Sequence, residues 1–183
     1  LGVRLAHALD GEILSADSRQ VYRGLDIGSG KDLEEFIVDG AAVPFHLIDI
    51  ADLDTEFSVF AYQRAFFDAF EGVLARGKRP VVVGGTGLYL EAVLSGYRLV
   101  EAPENAALRA ELASCPLDAL AARLRAVKPD LHNTTDLKDR ERLVRAIEIA
   151  EYSRNHAPEP APCVQALVLG TRWDRQVLRE RIA

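Results

Sequence analysis

Short apolar runs alternate with longer amphipathic stretches along this chain. "GEILSADS" (11–18) is an apolar run ending in polar residues, and it predicts a buried strand that stops at Ala16 or Asp17. "PFHLIDI" (44–50), "RPVVVGGTG" (79–87) and "ALVLG" (166–170) predict three more. Continuous apolar strands of this kind suit a parallel sheet covered on both faces. Between them, "SVFAYQRAFFDAFEGVLARG" sets Val59, Tyr62, Phe66, Phe70 and Val73 at helical spacing, from a Ser58 cap to a Gly77 stop. "GLYLEAVLSG" follows the valine strand directly as a second helix. "LGVRLAHALDG" predicts a third, with Leu1, Leu5 and Leu9 on one face and Gly11 as its stop.

This alternation predicts an α/β fold built on a doubly wound parallel sheet over residues 1–100. From 101 to 160 the pattern is helical without strands. "ENAALRAELA", "LDALAARLRAV" and "DRERLVRAIEIAEY" are its three helices, read as a small helical insertion. The proline-rich "NHAPEPAPC" (155–163) then leads back to the core over 161–183. Folds of the doubly wound kind bind ligands at the carboxyl ends of their strands. Two polar clusters fall there: Asp17-Ser18-Arg19-Gln20 and Gly84-Gly85-Thr86-Gly87.

Composition narrows the class. The 183 residues are 49% hydrophobic, enough for one sizeable core, and no apolar run approaches a membrane span. Cys115 and Cys163 lie far apart without metal-ligand spacing and read as ordinary thiols. A cytoplasmic protein, expected to be monomeric, fits these features. The chain has no methionine and opens within a helical pattern, so further sequence is expected on both sides of it. Net charge is −6, which disfavours a nucleic-acid partner until its distribution is considered. The block 123–145 holds 7 basic against 4 acidic side chains, whereas 1–122 holds 10 against 19. A basic patch on an acidic domain suits RNA phosphates; a solvated helical face is the plainer alternative.

Each candidate site carries two readings. Asp17, at a strand end, suits a proton acceptor or a ligand to a magnesium-bound water; it equally suits a turn cap. The glycines before Thr86 allow close ligand approach to a helix N-terminus, or simply tight packing with Thr86 as a cap. Arg142 and Arg145 share a helix face and suit a diphosphate or an RNA backbone, or else ion pairs with Asp139 and Glu141. "GLDIGSGKD" (24–32) imitates a phosphate loop but fails at both ends of the pattern, where Leu25 and Asp32 stand. It reads as a turn shaped by Gly28 and Gly30, with the role of Lys31 open.

The order of the motifs is more informative than any one of them. "ILSADSRQVYRGLDIG", "HLIDI", "VVVGGTGLYLEAVLSG" and "RLVRAIEI" together resemble the tRNA dimethylallyltransferases, also called tRNA isopentenylpyrophosphate transferases. The likeness covers most of the chain and is weakest over 111–135. It implies a P-loop-kinase-like core with an inserted helical domain that grips the anticodon stem. It also implies transfer of a dimethylallyl group from dimethylallyl diphosphate to N6 of adenosine 37 in tRNA, with Mg2+ as cofactor. On this likeness Asp17 is the base. Ser18, Arg19, Gln20 and Thr86 line the flipped-out adenine. Arg109 and the segment Glu141, Arg142, Leu143, Val144 and Arg145 contact tRNA. Glu141 departs from the family's usual glutamine, and "GSGKD" from its usual "GTAKP". The family's phosphate loop, with its diphosphate and magnesium ligands, is expected ahead of Leu1. Rival readings are an adenylate isopentenyltransferase acting on a free nucleotide, a nucleotide kinase, and a non-catalytic RNA-binding piece.

Overall fold

The computed structural model describes residues 1–129, 135–157 and 162–182. Strand β1 (Gly11–Ala16) lies between β4 (Phe45–His46) and β5 (Arg79–Gly84), parallel to both. Gly11 pairs with Arg79 at one end and Ala16 with Gly84 at the other. A two-residue hairpin pair, β2 (Ile37–Val38) and β3 (Ala41–Ala42), precedes β4. Helix α1 (Gly2–Ala8) covers one face of the sheet; α2 (Val59–Ala75) and α3 (Gly87–Leu94) cover the other. Alternate residues of β1 therefore enter different cores. Ile13 packs with Ala6 and Val43, while Leu14 and Ala16 pack with Tyr62, Phe66, Tyr89 and Val93. The doubly wound parallel arrangement follows, because each apolar strand has two faces to bury.

Helix α2 starts and stops as its sequence predicts. Ser58 Oγ accepts a hydrogen bond from the Ala61 N–H at 3.2 Å, and Gly77 takes the left-handed φ of +70°. Gln63 ties α2 to α3 by donating to the carbonyls of Ala92 and Tyr97, both at 2.8 Å.

Three expectations are corrected. Helix α1 turns its leucines outward, with Leu1, Leu5 and Leu9 at 85, 39 and 44% exposure, and packs through Gly2 and Ala6 instead. Sheet and helix approach so closely that a Cβ on Gly2 would lie 2.4 Å from Val83 Cγ2, a distance that only small residues tolerate. The helix ends at Ala8 with Leu9 as its C-cap, and Gly11 is the first strand residue. "PFHLIDI" pairs over two residues only, since Leu47 and Asp49 adopt φ of +67° and +56° and break the pleat. Its continuation turns to meet the segment after β1: Asp49 N–H donates to Gln20 O, and Ile50 and Ala51 both donate to Val21 O. "ALVLG" is not a strand. Leu167, Val168 and Leu169 are 86, 73 and 72% exposed, and none of the described strands pairs with them.

Helices α4 (Ala106–Leu112), α5 (Leu117–Val127) and α6 (Arg140–Asn155) form an apolar cluster of their own around Leu108, Leu112, Leu120, Leu124, Leu143 and Ile147. Arg140 secures it by donating to the carbonyls of Leu112, Ala113 and Cys115 at the end of α4. Helix α7 (Arg175–Ile182) follows an extended stretch. Residues 130–134 of the basic block and 158–161 of the proline-rich linker lie outside the described residues. No described helix is long and apolar enough to cross a membrane.

Candidate active site

The two polar clusters meet at the carboxyl ends of β1 and β5. Gly84 makes this possible: a Cβ there would sit 2.3 Å from Ala16 O, so any side chain would push the strands apart. The Thr86 N–H donates to Ala16 O at 3.1 Å. Thr86 stands at the cap position of α3 without capping it through its side chain. Its hydroxyl turns to the other cluster instead. Thr86 Oγ1 accepts from the Ser18 N–H at 3.0 Å and donates to Ser18 Oγ at 3.3 Å. Thr86 therefore does not cap its helix through its side chain but bonds two motifs that are 68 residues apart.

Asp17 is half-buried just past the end of β1. Its Oδ1 accepts from the N–H groups of Arg19 (2.8 Å) and Gln20 (3.2 Å), holding the turn. The carboxylate thus serves as a turn cap through one oxygen, and no described residue donates a hydrogen bond to Oδ2. Arg19 and Ser18 are exposed on the same turn. The Gln20 carboxamide is engaged on both sides: Ser15 Oγ donates to its Oε1 at 2.8 Å, and its Nε2 donates to Ser29 O (3.2 Å) and Gly30 O (2.9 Å).

Beneath this turn Tyr62 and Tyr89 stack, with ring centroids 3.8 Å apart. Tyr62 Oη donates to Ser15 O at 3.2 Å and Tyr89 Oη to Phe57 O at 3.4 Å. Burial, aided by the nearby charges of Tyr22 and Asp17, pushes the Tyr89 phenol up to about 12. Burial likewise raises that of Tyr62. Both rings stay neutral and supply a rigid apolar floor. The sequence predicts Tyr62 only as part of the apolar face of α2, and Ser15 and Tyr89 carry no signal in it beyond lying in the runs "GEILSADS" and "GLYL".

The helical unit gathers a second cluster. Arg109 on α4 and Arg145 on α6 converge on Glu148, whose side chain is 1% exposed. Glu148 Oε1 accepts from Arg109 Nε (2.8 Å) and the Asn105 N–H (2.9 Å), and Oε2 accepts from Arg109 Nη2 (2.9 Å) and Arg145 Nη1 (3.3 Å). Arg145 also donates to Ala102 O. The Arg109 guanidinium holds the Glu148 carboxyl at about 2, against the opposing effect of burial. The two arginines keep roughly two fifths of their side-chain surface in solvent and share one anchored position.

Around them, Arg142 is exposed near Asp139, and Glu141 is exposed on the first turn of α6. Val144 is half-buried. Leu143 is fully buried against the other helices. Lys31 is also buried and fully engaged, so it meets no RNA phosphate; Gly28 and Gly30 take positive φ and shape the turn before it. Among the described residues no group of three or more His, Cys, Asp or Glu side chains is placed to hold a metal ion.

A family model described as IPP transferase matches residues 20–183. The chain belongs to the IPP transferase family. Among this member's relatives are a tRNA dimethylallyltransferase of Geotalea uraniireducens and one of Bacteroides fragilis. The first is 58% identical over the whole of this chain and 59% of its own length. The second is 49% identical over 97% of this chain and 58% of its own. The chain thus spans about three fifths of the length of the curated relatives it matches. The fold resembles that of a tRNA isopentenylpyrophosphate transferase from Staphylococcus epidermidis, with TM-score 0.54 and 28% identity over 99% of this chain and 61% of that one. A eukaryotic dimethylallyltransferase acting on tRNA shares the fold at TM-score 0.65, with 24% identity over 88% of this chain and 42% of that one. The P-loop-kinase-like α/β class expected from the motifs is the class of these structures.

Proposed function

We propose that this IPP transferase moves a dimethylallyl group from dimethylallyl diphosphate to N6 of adenosine 37 in tRNA. Relatives about half identical or more carry the name tRNA dimethylallyltransferase. The observation that carries the reading is the Thr86–Ser18 contact, which locks the two polar clusters together with Asp17 beside them. A flipped-out base in that position meets hydroxyl, amide and carboxylate groups on one side and the helix α3 N-terminus on the other.

The chemistry balances on these groups. The N6 nitrogen attacks C1 of the allyl group as its C–O bond breaks, and the diphosphate leaves with that electron pair. The proton lost from N6 passes to Asp17 Oδ2. An exocyclic amine is a weak nucleophile, so a fixed carboxylate within reach of its proton lowers the barrier by general-base catalysis. Arg109 and Arg145 stay partly exposed and lend positive charge to the phosphates of the RNA stem, while their guanidinium forks are held by Glu148, Glu104 and Ala102 O. A cytoplasmic monomer belongs to the same proposal.

The test compares an anticodon stem-loop carrying adenosine at the target position with the same stem-loop carrying inosine, and with free AMP. Prenylated product is read by mass spectrometry. Product from the adenosine stem-loop alone is expected. Product from AMP alone supports the free-nucleotide reading instead. Asp17→Asn keeps the oxygen that caps the turn but loses the base, so turnover should fall by about 100-fold or more with the fold intact. A fall of less than about threefold removes Asp17 from that role.

A further inference from the structure

We propose that Lys31 is a positioning residue for the base-holding turn, acting through Gln20. The proposal rests on the reading of this turn as the seat of an adenosine. Lys31 is only 4% exposed, yet its ammonium is fully satisfied. Nζ donates to Tyr22 O (2.8 Å), Asp26 Oδ1 (2.8 Å) and Asp49 Oδ1 (2.5 Å). These acceptors belong to three segments: the turn after β1, the loop 24–31, and the broken continuation of β4. An ammonium has three donors and no acceptor, so one buried lysine joins all three.

The loop it anchors is the one that orients Gln20. Both hydrogens of the Gln20 amide are spent on the carbonyls of Ser29 and Gly30, the two residues before Lys31. Ser15 fixes the other end of the amide by donating to Oε1. The amide therefore cannot flip, and what it has left to offer is the second lone pair of Oε1. A lone pair held in place accepts from an exocyclic amine and repels an exocyclic carbonyl. The arrangement favours adenine over hypoxanthine, whose 6-position carries an oxygen. Without Lys31, the carbonyls of residues 29 and 30 lose their fixed position, and the amide is free to present its NH2 instead.

The experiment is a double-mutant cycle in the intact protein between Lys31→Met and Gln20→Ala. It measures kcat and KM on the adenosine stem-loop and the inhibition constant of the inosine stem-loop, with thermal melts as a fold control. Each single variant is expected to lower kcat/KM on adenosine by about tenfold, chiefly through KM. The pair should lie within about twofold of the worse single variant, because the two residues act as a unit. Multiplying effects overturn the proposal, as does a Lys31→Met variant that melts lower with unchanged KM. Asp49→Asn leaves an oxygen to accept from Lys31 but removes its charge, which weakens one of the three bonds; it serves if Lys31→Met does not fold, and it should raise KM by about threefold. Unchanged KM there overturns the proposal. Hydrogen exchange at the Gln20 side-chain amide, read by NMR, is a further arm independent of activity. It should be protected in the parent and faster in Asp49→Asn, and equal rates overturn the proposal. If no stem-loop is prenylated by the parent, the functional reading fails, and the exchange arm alone decides whether Lys31 orients Gln20.

Discussion

Replacing Glu148 tests how the helical unit holds its arginines. The carboxylate accepts four hydrogen bonds, two on each oxygen, from Asn105, Arg109 and Arg145. It is almost wholly buried, while the arginine side chains are partly in solvent. In Glu148→Gln one oxygen survives to accept from Asn105 and from Arg109 Nε. An NH2 replaces the other and faces the Arg109 and Arg145 donors without an acceptor. Charged hydrogen bonds contribute roughly 1.5–3 kcal/mol each where buried, and less where a partner re-solvates. The glutamine variant should therefore lose about 2 kcal/mol of stability, and Glu148→Ala about 3 kcal/mol, because alanine also leaves a cavity. Urea unfolding at neutral pH, followed by circular dichroism, measures both. A second readout is stem-loop affinity against salt, where the slope should fall by about 1 to 2 as the two arginines lose their position. A Glu148→Gln protein within about 0.5 kcal/mol of the parent, with an unchanged salt slope, would refute the reasoning. The carboxylate would then be one more screened surface charge.

The other predictions concern the core and its motifs. Glu12, on β1, accepts from Arg76 at 2.9 and 2.7 Å and contacts His46 at 2.6 Å; the Arg76 bonds hold its carboxyl at about 2, against the effect of burial. Unfolded chain binds a proton at higher pH than folded chain does, so the stability from Glu12 and Glu148 is present at neutral pH. It is lost as pH falls from about 4.5 towards 2. The melting temperature should drop across that window, by an amount matching about 1–2 kcal/mol per carboxylate after solvent screening, and a double Gln variant should flatten the drop. Thr86→Val removes the hydroxyl that holds Ser18 and should cut turnover by about tenfold with stability within about 1 kcal/mol, while Thr86→Ser restores most of it. Gly84→Ala forces a Cβ against Ala16 O and should cost about 3 kcal/mol in urea unfolding, separating β5 from β1 at the site.

Much of the site was legible in one dimension. Asp17, Ser18 and Thr86 could be chosen because apolar runs ended there in polar residues, and parallel strands present such ends to a ligand. Ser58 and Gly77 marked the limits of α2 because capping and left-handed φ are local properties. Properties set by near neighbours in the chain, such as strand and helix period, caps and stops, were readable from the sequence itself, as was the motif order that marks the family. The tertiary structure decided the rest, because it concerned partners distant in the chain. Leu1, Leu5 and Leu9 look like a core face, but the approach of Gly2 to Val83 turns α1 the other way. "ALVLG" has strand composition but pairs with none of the described strands. The role of Lys31 stays open in the sequence until the chain folds and three segments supply its acceptors. Whether a polar side chain holds a ligand or holds the protein depends on what lies within about 3 Å of it, and only the folded chain determines that distance.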